Sequence, residues 1–413
     1  MFLAATGFVC EDGGSVAAAN ALMLTSLLSL GHKVDFFSKP SFVDPGPVVG
    51  EHSLFQHVPV INYVSDGVRR FCSKVPLVGK LASFNDARRY NILIVDAINK
   101  EQKRKGYDAV LWMGDYARGN VPGIPSISFA QGPPGTDARS FLSRFHEIRK
   151  LAGAMVALKW HLLAKMRLSR MGLPNFTFSD HIIVGSGQSK STLQEVYGVE
   201  SKRISIIPYP IDLANFNVID RDECTSESQL RIIWLGRVVP RKRLDLFLEA
   251  AALLIREGLN IQLTIVGGIG MVPQYKKMIE AFEFQEQLHW IPSLPREKIP
   301  QLLRDHHLLV QPSDEENFGS SVAEAQACGL PVVVGKTNGN ADYLCSQDIH
   351  LSDDKVDTLA KAFRTAYTRK QNGKLGNKVE SRANAERYFD IRVVEKQLDQ
   401  ALDETIVKYR LTH

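Results

Sequence analysis

A chain of 413 residues is too long for one ordinary hydrophobic core, so two domains of roughly 200 residues each are expected. With 44% hydrophobic and 23% charged residues and no apolar run long enough to cross a bilayer, the composition is typical of a globular protein and argues against a transmembrane one. The formal net charge of +5 is mild. Because no known nucleic-acid-binding motif accompanies it, a nucleic-acid-binding protein is not favoured.

The five cysteines are scattered along the chain and form no CxxC pair. An odd number without such a pair predicts free thiols in a reducing, cytoplasmic compartment, and it argues against a disulfide framework or a zinc site. The apolar start of the chain lacks a preceding basic segment. We therefore expect a first β-strand there and no signal peptide.

The first 37 residues follow the order strand, glycine turn, helix, strand. Phe2–Val9 is apolar, Gly13 and Gly14 form the turn, and the alanine-rich run Val16–Leu30 leads to the strand Val34–Phe37. This order is typical of a Rossmann-like unit, although the GxGxxG motif is absent. Two glycines before a helix let backbone N–H groups approach a phosphate. The alternative is an ordinary tight turn.

Further apolar runs predict four more strands of the same domain, at 108–114, 124–130, 176–185 and 204–208. The polar stretch 217–229 has no apolar periodicity and predicts a linker. We therefore expect an N-terminal domain at 1–212, a linker at 213–229 and a second domain at 230–387. A final helix at about 388–413 is expected to cross back onto the first domain.

Two segments of the first domain, 66–90 and 139–170, contain an excess of Lys and Arg over acidic residues. The second segment also places apolar residues at largely helical spacing. One interpretation is an ordinary surface helix packed on the sheet. The other is a surface that meets anionic lipid head groups or an anionic acceptor.

The second domain alternates short apolar strands with helices, which is typical of an α/β fold with a parallel sheet. Its last βαβ step lies at 308–335, where an acidic loop and a helix bear Glu316 and Glu324. Ligands of parallel sheets bind at the carboxyl ends of the strands. The amino end of this helix, at Ser320, would also attract a phosphate.

A second set of polar residues follows the strand at 230–235. Arg237 and Lys242 are five residues apart across a proline turn, and Arg241 and Arg243 add two further cations. A guanidinium and an ammonium that converge on one anion suit a diphosphate, and they stabilise the charge that develops when it leaves. The alternative is a solvated cationic loop.

The stretches GRVVPRKRLD and ENFGSSVAEAQACGLPVVV resemble those of the retaining glycosyltransferases of family GT4. The resemblance extends along nearly the whole chain and is strongest at 231–344. It implies the GT-B fold, in which two Rossmann-like domains face each other across a cleft that binds a nucleotide sugar. Such enzymes usually need no metal, so no cofactor is expected. The triplet Asp220-Arg221-Asp222 lies in the predicted linker and is discounted as a metal site.

The resemblance also implies roles for individual residues. Arg237 and Lys242 would hold the diphosphate, Glu324 would bind the ribose hydroxyls, and Glu316 would face the transferred sugar. The backbone at Phe318, Gly319 and Ser320 would contact sugar and phosphate. Base contacts are expected from the backbone at 290–293, which includes Ile291.

One position departs from the family. In many relatives a histidine follows the strand equivalent to 124–130, but this chain has Gln131 there. Glutamine donates and accepts hydrogen bonds but does not titrate near neutral pH. We expect Gln131 to take the position of that histidine near the reacting sugar.

These features predict a retaining hexosyltransferase that uses a UDP- or GDP-sugar and an acceptor hydroxyl. The basic segments favour a lipid-linked acceptor, as in surface-polysaccharide or glycolipid assembly, and peripheral membrane association. The alternatives are an inactive nucleotide-sugar-binding partner subunit and a sugar-nucleotide hydrolase of the same fold.

Overall fold

The computed structural model describes residues 1–9, 14–38, 45, 49–60, 76–169, 174–219 and 229–413, with the backbone alone for 76–88. Gly13, the Asp220–Asp222 triplet and residues 66–75 of the first basic segment lie outside the described residues. Predictions about those positions therefore remain predictions.

The first half of the chain forms a seven-stranded sheet in the order β3-β2-β1-β4-β5-β6-β7, with every pair parallel. Its central strand β4 is buried along its whole length, as expected of a parallel sheet covered on both faces. The strand β3 was not predicted from the sequence, because its residues are only partly buried and show no continuous apolar run. The seven strands are Phe2–Gly7, Lys33–Ser38, Phe55–Pro59, Ala109–Met113, Ser126–Phe129, His181–Val184 and Ile204–Ile206.

The second half forms a six-stranded sheet in the order β10-β9-β8-β11-β12-β13, again with every pair parallel. The short strand β13 at its edge was not predicted. The six strands are Leu230–Leu235, Ile261–Val266, Leu288–Ile291, Leu308–Gln311, Val332–Val334 and Ile349–His350. Two parallel sheets with helices on their faces confirm the predicted α/β class.

Helices α1 to α13 cover the two sheets. In chain order they are Gly14–Ser29, Pro76–Lys105, Thr136–Ser143, Phe145–Ala152, Ala154–Leu168, Gly187–Glu195, Leu244–Arg256, Gln274–Glu280, Ile299–Arg304, Ser320–Ala327, Val356–Gln371, Lys378–Phe389 and Ile391–Thr412. None of the helices within the described ranges is long and apolar enough to cross a membrane.

The last helix, α13, packs against α1 of the first sheet layer. Ser26 of α1 donates a hydrogen bond to Glu395 of α13. His32, in the turn between α1 and β2, lies 2.8 Å from the carboxylate of Asp399. The C-terminal helix therefore ties the end of the chain to the first sheet.

Helices α3, α4 and α5 form a helical arm, 136–168, that packs against the second sheet although it belongs to the first half of the chain. Phe141 and Ile148 of the arm share one buried cluster with Trp234 and Phe247 of the second sheet layer. The predicted basic segment is thus largely helical over 139–168, and its buried side contacts the other half of the protein. Sequence position alone does not reveal this crossing.

Candidate functional site

A cavity of about 370 Å³ lies between the carboxyl ends of the two sheets. Its walls come from the start of α1, the loop after β5, the loop after β8, and the loop between β11 and α10. Nine of the residues predicted for the site line it: Gly14, Gln131, Arg237, Lys242, Glu316, Phe318, Gly319, Ser320 and Glu324.

Ile291 is not among the residues that line this cavity. It ends β10, where its carbonyl accepts a hydrogen bond from the Gly267 N–H at 2.9 Å. The nearby wall is formed instead by Leu294, Arg296 and Ile299. The turn after β10 brings these residues, and not the end of the strand itself, to the cavity.

Glu316 is the centre of a buried charge cluster. Its side chain accepts hydrogen bonds from the ammonium of Lys242 and, at 2.9 Å, from the guanidinium of Arg241. Burial opposes the ionisation of Glu316, but the two cations outweigh it and lower its pKa from 4.5 to about 2. Glu316 is therefore a carboxylate throughout the physiological pH range.

The backbone after β8 explains why two successive cations reach Glu316. Pro240 begins a short 3₁₀ turn that ends at Lys242, and Arg243 follows with a left-handed φ of 51°. The indole N–H of Trp234 donates to the Lys242 carbonyl at 3.3 Å and holds the turn on the sheet. Proline favours such a turn by its fixed φ.

Arg241 was predicted as part of a cationic run but was not assigned to the site. Its side chain is as buried as that of Lys242, and it donates hydrogen bonds to both Glu316 and Asp137, the latter at 2.7 Å. A buried charge is tolerated only when it is paired and its remaining hydrogen-bonding groups have partners. The loop pattern in the sequence does not show which of its four cations meets that condition.

Arg237 and Lys242 both line the cavity but point at different carboxylates. The side chain of Arg237 is 62% exposed and lies 3.4 Å from Asp137 of α3, whereas Lys242 is buried against Glu316. The sequence predicted that these two cations converge on one anion. In this structure each of them already has a carboxylate partner.

The helical arm makes further ion pairs with the acidic loop at 314–316. Arg139 of α3 lies 2.6 Å from Glu315, and Arg144 lies 2.6 Å from Asp314. Together with the Asp137–Arg241 pair, these contacts join the arm to both loops of the second sheet. Two cations of the segment predicted to meet lipid therefore serve contacts inside the protein.

Glu324 is fully buried in α10 and bonds the guanidinium of Arg296 at 2.8 Å. Burial raises the pKa of Glu324, and the charge of Arg296 only partly opposes this. Arg296 also lies over the ring of Phe216, with its guanidinium carbon 5.1 Å from the ring centre. Arg296 was not predicted from the sequence, because a lone arginine in a loop gives no specific signal.

The start of α10 is shaped by Phe318 and Gly319. Phe318 turns its ring into a buried aromatic group with Tyr209, 4.7 Å away between centroids, and Phe389. Gly319 has a φ of 80°, and a Cβ there would lie 2.9 Å from the Asn338 side-chain oxygen. Glycine therefore lets the chain enter the helix without a side chain in the way, which leaves backbone at the cavity wall.

Gln131 extends into the cavity from the loop after β5. Its amide nitrogen donates to the side-chain oxygen of Asn20 in α1 at 3.1 Å. Asn20 was missed from the sequence. The available signal was a polar residue inside an otherwise apolar helical run.

The acidic loop at 314–316 was considered as a metal site. Each of its three carboxylates is paired with a cation: Asp314 with Arg144, Glu315 with Arg139, and Glu316 with Lys242. Within the described part of the chain, no group of three or more His, Cys, Asp or Glu side chains is arranged to hold a metal ion.

Comparison with known proteins relates the second half of the chain to a family. Residues 217–386 match the family model described as glycosyl transferases group 1. The second half of the chain is thus similar to the group 1 glycosyltransferases over these residues. The resemblance inferred from the sequence is confirmed at the level of the GT-B glycosyltransferases.

A D-inositol 3-phosphate glycosyltransferase of Rhodococcus erythropolis is 27% identical to this chain over 173 residues, which are 39% of each protein. The matched part thus spans well under half of that relative. A similarly named protein of Catenulispora acidiphila is 24% identical over 353 residues, covering 80% of this chain and 76% of that protein.

The crystal structure of Anabaena HepE in complex with UDP-glucose has the same fold as this GT-B chain. The two superpose with a TM-score of 0.63 at 15% sequence identity, covering 98% of this chain and all of HepE. At that identity the similarity establishes the fold alone.

Proposed function

We propose that this protein is a retaining glycosyltransferase that transfers a hexose from a UDP- or GDP-sugar to an acceptor hydroxyl. The observation that supports it is the cavity at the carboxyl ends of two parallel sheets, where Arg237, Lys242, Glu324 and the start of α10 meet. HepE, which shares the fold, binds UDP-glucose in its crystal structure. Ligands of such sheets bind at this edge.

The residues that would bind the donor already have protein partners, and the donor would replace some of these partners. Its diphosphate would replace the carboxylate of Asp137 beside Arg237, and the backbone at Gly319 and Ser320 would donate to a phosphate oxygen. Its ribose hydroxyls would donate to Glu324, whose charge Arg296 balances in this structure. Glu316 would face the sugar while Lys242 and Arg241 keep it ionised.

In the transfer step, the bond between the sugar C1 and the phosphate oxygen breaks as C1 bonds the acceptor oxygen on the same face. The acceptor hydroxyl gives its proton to the departing phosphate oxygen, so no protein base is required. Lys242 and Arg237 would stabilise the charge that grows on the diphosphate. We further propose that these cations serve without a metal, because the carboxylates at 314–316 are all engaged by Arg and Lys.

The nucleotide is tested with UDP, GDP and ADP by thermal unfolding and with their sugar esters by nucleotide release. A nucleotide at about 100 times its dissociation constant stabilises the folded protein by about 2.7 kcal/mol. We expect this stabilisation from UDP or GDP, and we expect its loss in Glu324→Ala. Glu257→Ala, which removes an exposed carboxylate, is the matched control. This variant should still be stabilised by the nucleotide.

Nucleotide release is measured with and without D-inositol 3-phosphate or a total lipid extract. Release that depends on an acceptor supports transfer. Release that is independent of acceptor favours the hydrolase, and binding without turnover of any donor favours the inactive partner subunit. Inversion at the anomeric carbon in the product would contradict the retaining step.

We also propose a membrane-facing acceptor side, with the protein peripheral to the cytoplasmic face of an anionic membrane. The outer face of α5 exposes Met155, Leu158, Leu162 and Met166, by 87%, 52%, 52% and 69%. These residues are spaced as one stripe of a helix, and exposed cations flank them at 159, 165 and 167. Apolar residues beside cations suit a surface of anionic lipid.

Reversing the charges of Lys159, Lys165 and Arg167 together should weaken binding to phosphatidylglycerol vesicles. Each basic residue near such a surface contributes about 1 kcal/mol, so the loss should exceed about a hundredfold. The measurement is co-sedimentation with vesicles of phosphatidylcholine with and without phosphatidylglycerol.

The matched control reverses three exposed lysines elsewhere, Lys361, Lys374 and Lys396. It has the same net charge as the test variant and should retain most of the binding. Equal losses in the two variants, or binding that does not need phosphatidylglycerol, would count against a docking surface on α5.

A further inference from the structure

Asn20 is a fully buried polar residue in the apolar helix α1. Its side-chain nitrogen donates to the Phe8 carbonyl at 2.8 Å. Its side-chain oxygen accepts from the amide nitrogen of Gln131 at 3.1 Å. A buried amide of this kind is tolerated because both of its ends have partners.

The order of these contacts determines how both amides are turned. The Phe8 carbonyl can only accept, so the nitrogen of Asn20 must face it and the oxygen must face Gln131. Gln131 then has to direct its side-chain nitrogen at Asn20. Its side-chain oxygen, Oε1, is not used in this contact. Gln131 lines the cavity, and no residue of the described ranges donates to Oε1.

Packing around Asn20 holds this arrangement. Gly114, at the end of β4, has a φ of 77°, and a Cβ there would lie 2.7 Å from the Asn20 nitrogen. The same Cβ would lie 3.6 Å from Cγ of Gln131. Because α1 and β4 enclose the Asn20 side chain so closely, it has little room to turn.

We propose that Asn20 is a positioning residue that holds Gln131 with its Oε1 toward the cavity, where it accepts a hydrogen bond from a hydroxyl of the transferred sugar. This rests on the proposed function, since it requires a nucleotide sugar in the cavity. An amide oxygen accepts at any pH at which the protein is folded. The contact therefore favours a sugar with a hydroxyl at this position, and it brings no group that titrates near neutral pH.

The test is a double-mutant cycle of Asn20→Ala and Gln131→Met, read as the affinities for UDP and UDP-glucose, or for GDP and GDP-mannose if GDP stabilises the protein more. Each single variant should weaken nucleotide-sugar binding about 3- to 10-fold, as expected for one lost hydrogen bond. Binding of the free nucleotide should not change. The double variant should be no worse than Gln131→Met alone, because Asn20 acts through Gln131.

Two further variants separate positioning from folding. Asn20→Asp keeps an oxygen acceptor for Gln131, so it should retain the preference for the nucleotide sugar even if its melting temperature falls. Thr25→Val removes a hydroxyl that bonds only within α1 and should leave both affinities unchanged. If Asn20→Ala does not fold, Asn20→Asp and Gln131→Met still decide the outcome.

The positioning role of Asn20 would be overturned if the affinity losses of Asn20→Ala and Gln131→Met added up in the double variant. It would also be overturned if Asn20→Ala weakened binding of the free nucleotide as much as binding of the nucleotide sugar. Unchanged nucleotide-sugar affinity in Gln131→Met would overturn the sugar contact itself. The proposed function fails separately, if the unmodified protein neither binds nor turns over any of the nucleotide sugars.

Discussion

Replacing Lys242 by Met is expected to lower kcat/KM for sugar transfer by about 10²- to 10³-fold. We expect this loss because removing one group that stabilises the charge developing on a leaving group typically costs this much. Lys242 is 91% buried and lines the cavity wall. The measurement is nucleotide release under initial-rate conditions with the donor that the thermal screen selects.

The fold should survive this change, because Glu316 keeps Arg241 as a partner. Arg256→Met is the matched control, since Arg256 pairs with Glu283 on the surface and its removal should leave turnover unaltered. If Lys242→Met were as active as the control, the assignment of the diphosphate to this cation would have to be abandoned.

Replacing Glu316 by Ala is expected to lower the free energy of unfolding by about 3–5 kcal/mol, as when one partner of a buried ion pair is removed. Lys242 would lose its carboxylate altogether, while Arg241 would retain Asp137. Urea denaturation followed by circular dichroism measures the change. Glu283→Ala, which removes an exposed carboxylate, should have a far smaller effect.

The pH dependence of this difference gives a second measurement. The pKa of Glu316 is about 2 in the folded protein, against 4.5 for its ordinary value. A carboxyl group with a lowered pKa in the folded protein stabilises it fully above about pH 5, where the group is ionised in both states. This stabilisation is lost as the pH falls from about 5 to 2 and the group becomes protonated. The stability gap between the unmodified protein and Glu316→Ala should therefore narrow over that range. A gap that stays constant with pH would contradict the buried ion pair.

The ion pairs of the helical arm bear on how a donor enters. Asp137 forms ion pairs with Arg241 and Arg237, the two cations that we expect beside the diphosphate. A diphosphate with more negative charge than one carboxylate competes well for Arg237, whose side chain is largely exposed. Arg241 is buried and keeps Glu316, so it can remain in place while Arg237 exchanges its partner.

Much of the cavity wall contributed by the second sheet could be predicted because its signals are local in the sequence. The turn at 236–243 and the loop and helix at 314–327 each follow a strand of a parallel sheet, and such positions meet at one edge of the fold. Ile291 shows the limit of this reasoning. It follows the same rule, yet the turn beyond it forms the wall, because the direction of a loop depends on its packing.

The sequence by itself determined the α/β class, most of the strands, and the residue types that face the cavity. Those features depend on apolar periodicity and on turns, which involve neighbouring residues. The tertiary structure alone decided that Arg241 joins Glu316, that the helical arm crosses to the second sheet, and that Asn20 orients Gln131. Asn20 and Gln131 are 111 residues apart. A contact over such a separation depends on how β1, β4 and β5 pair, and no local pattern encodes that pairing.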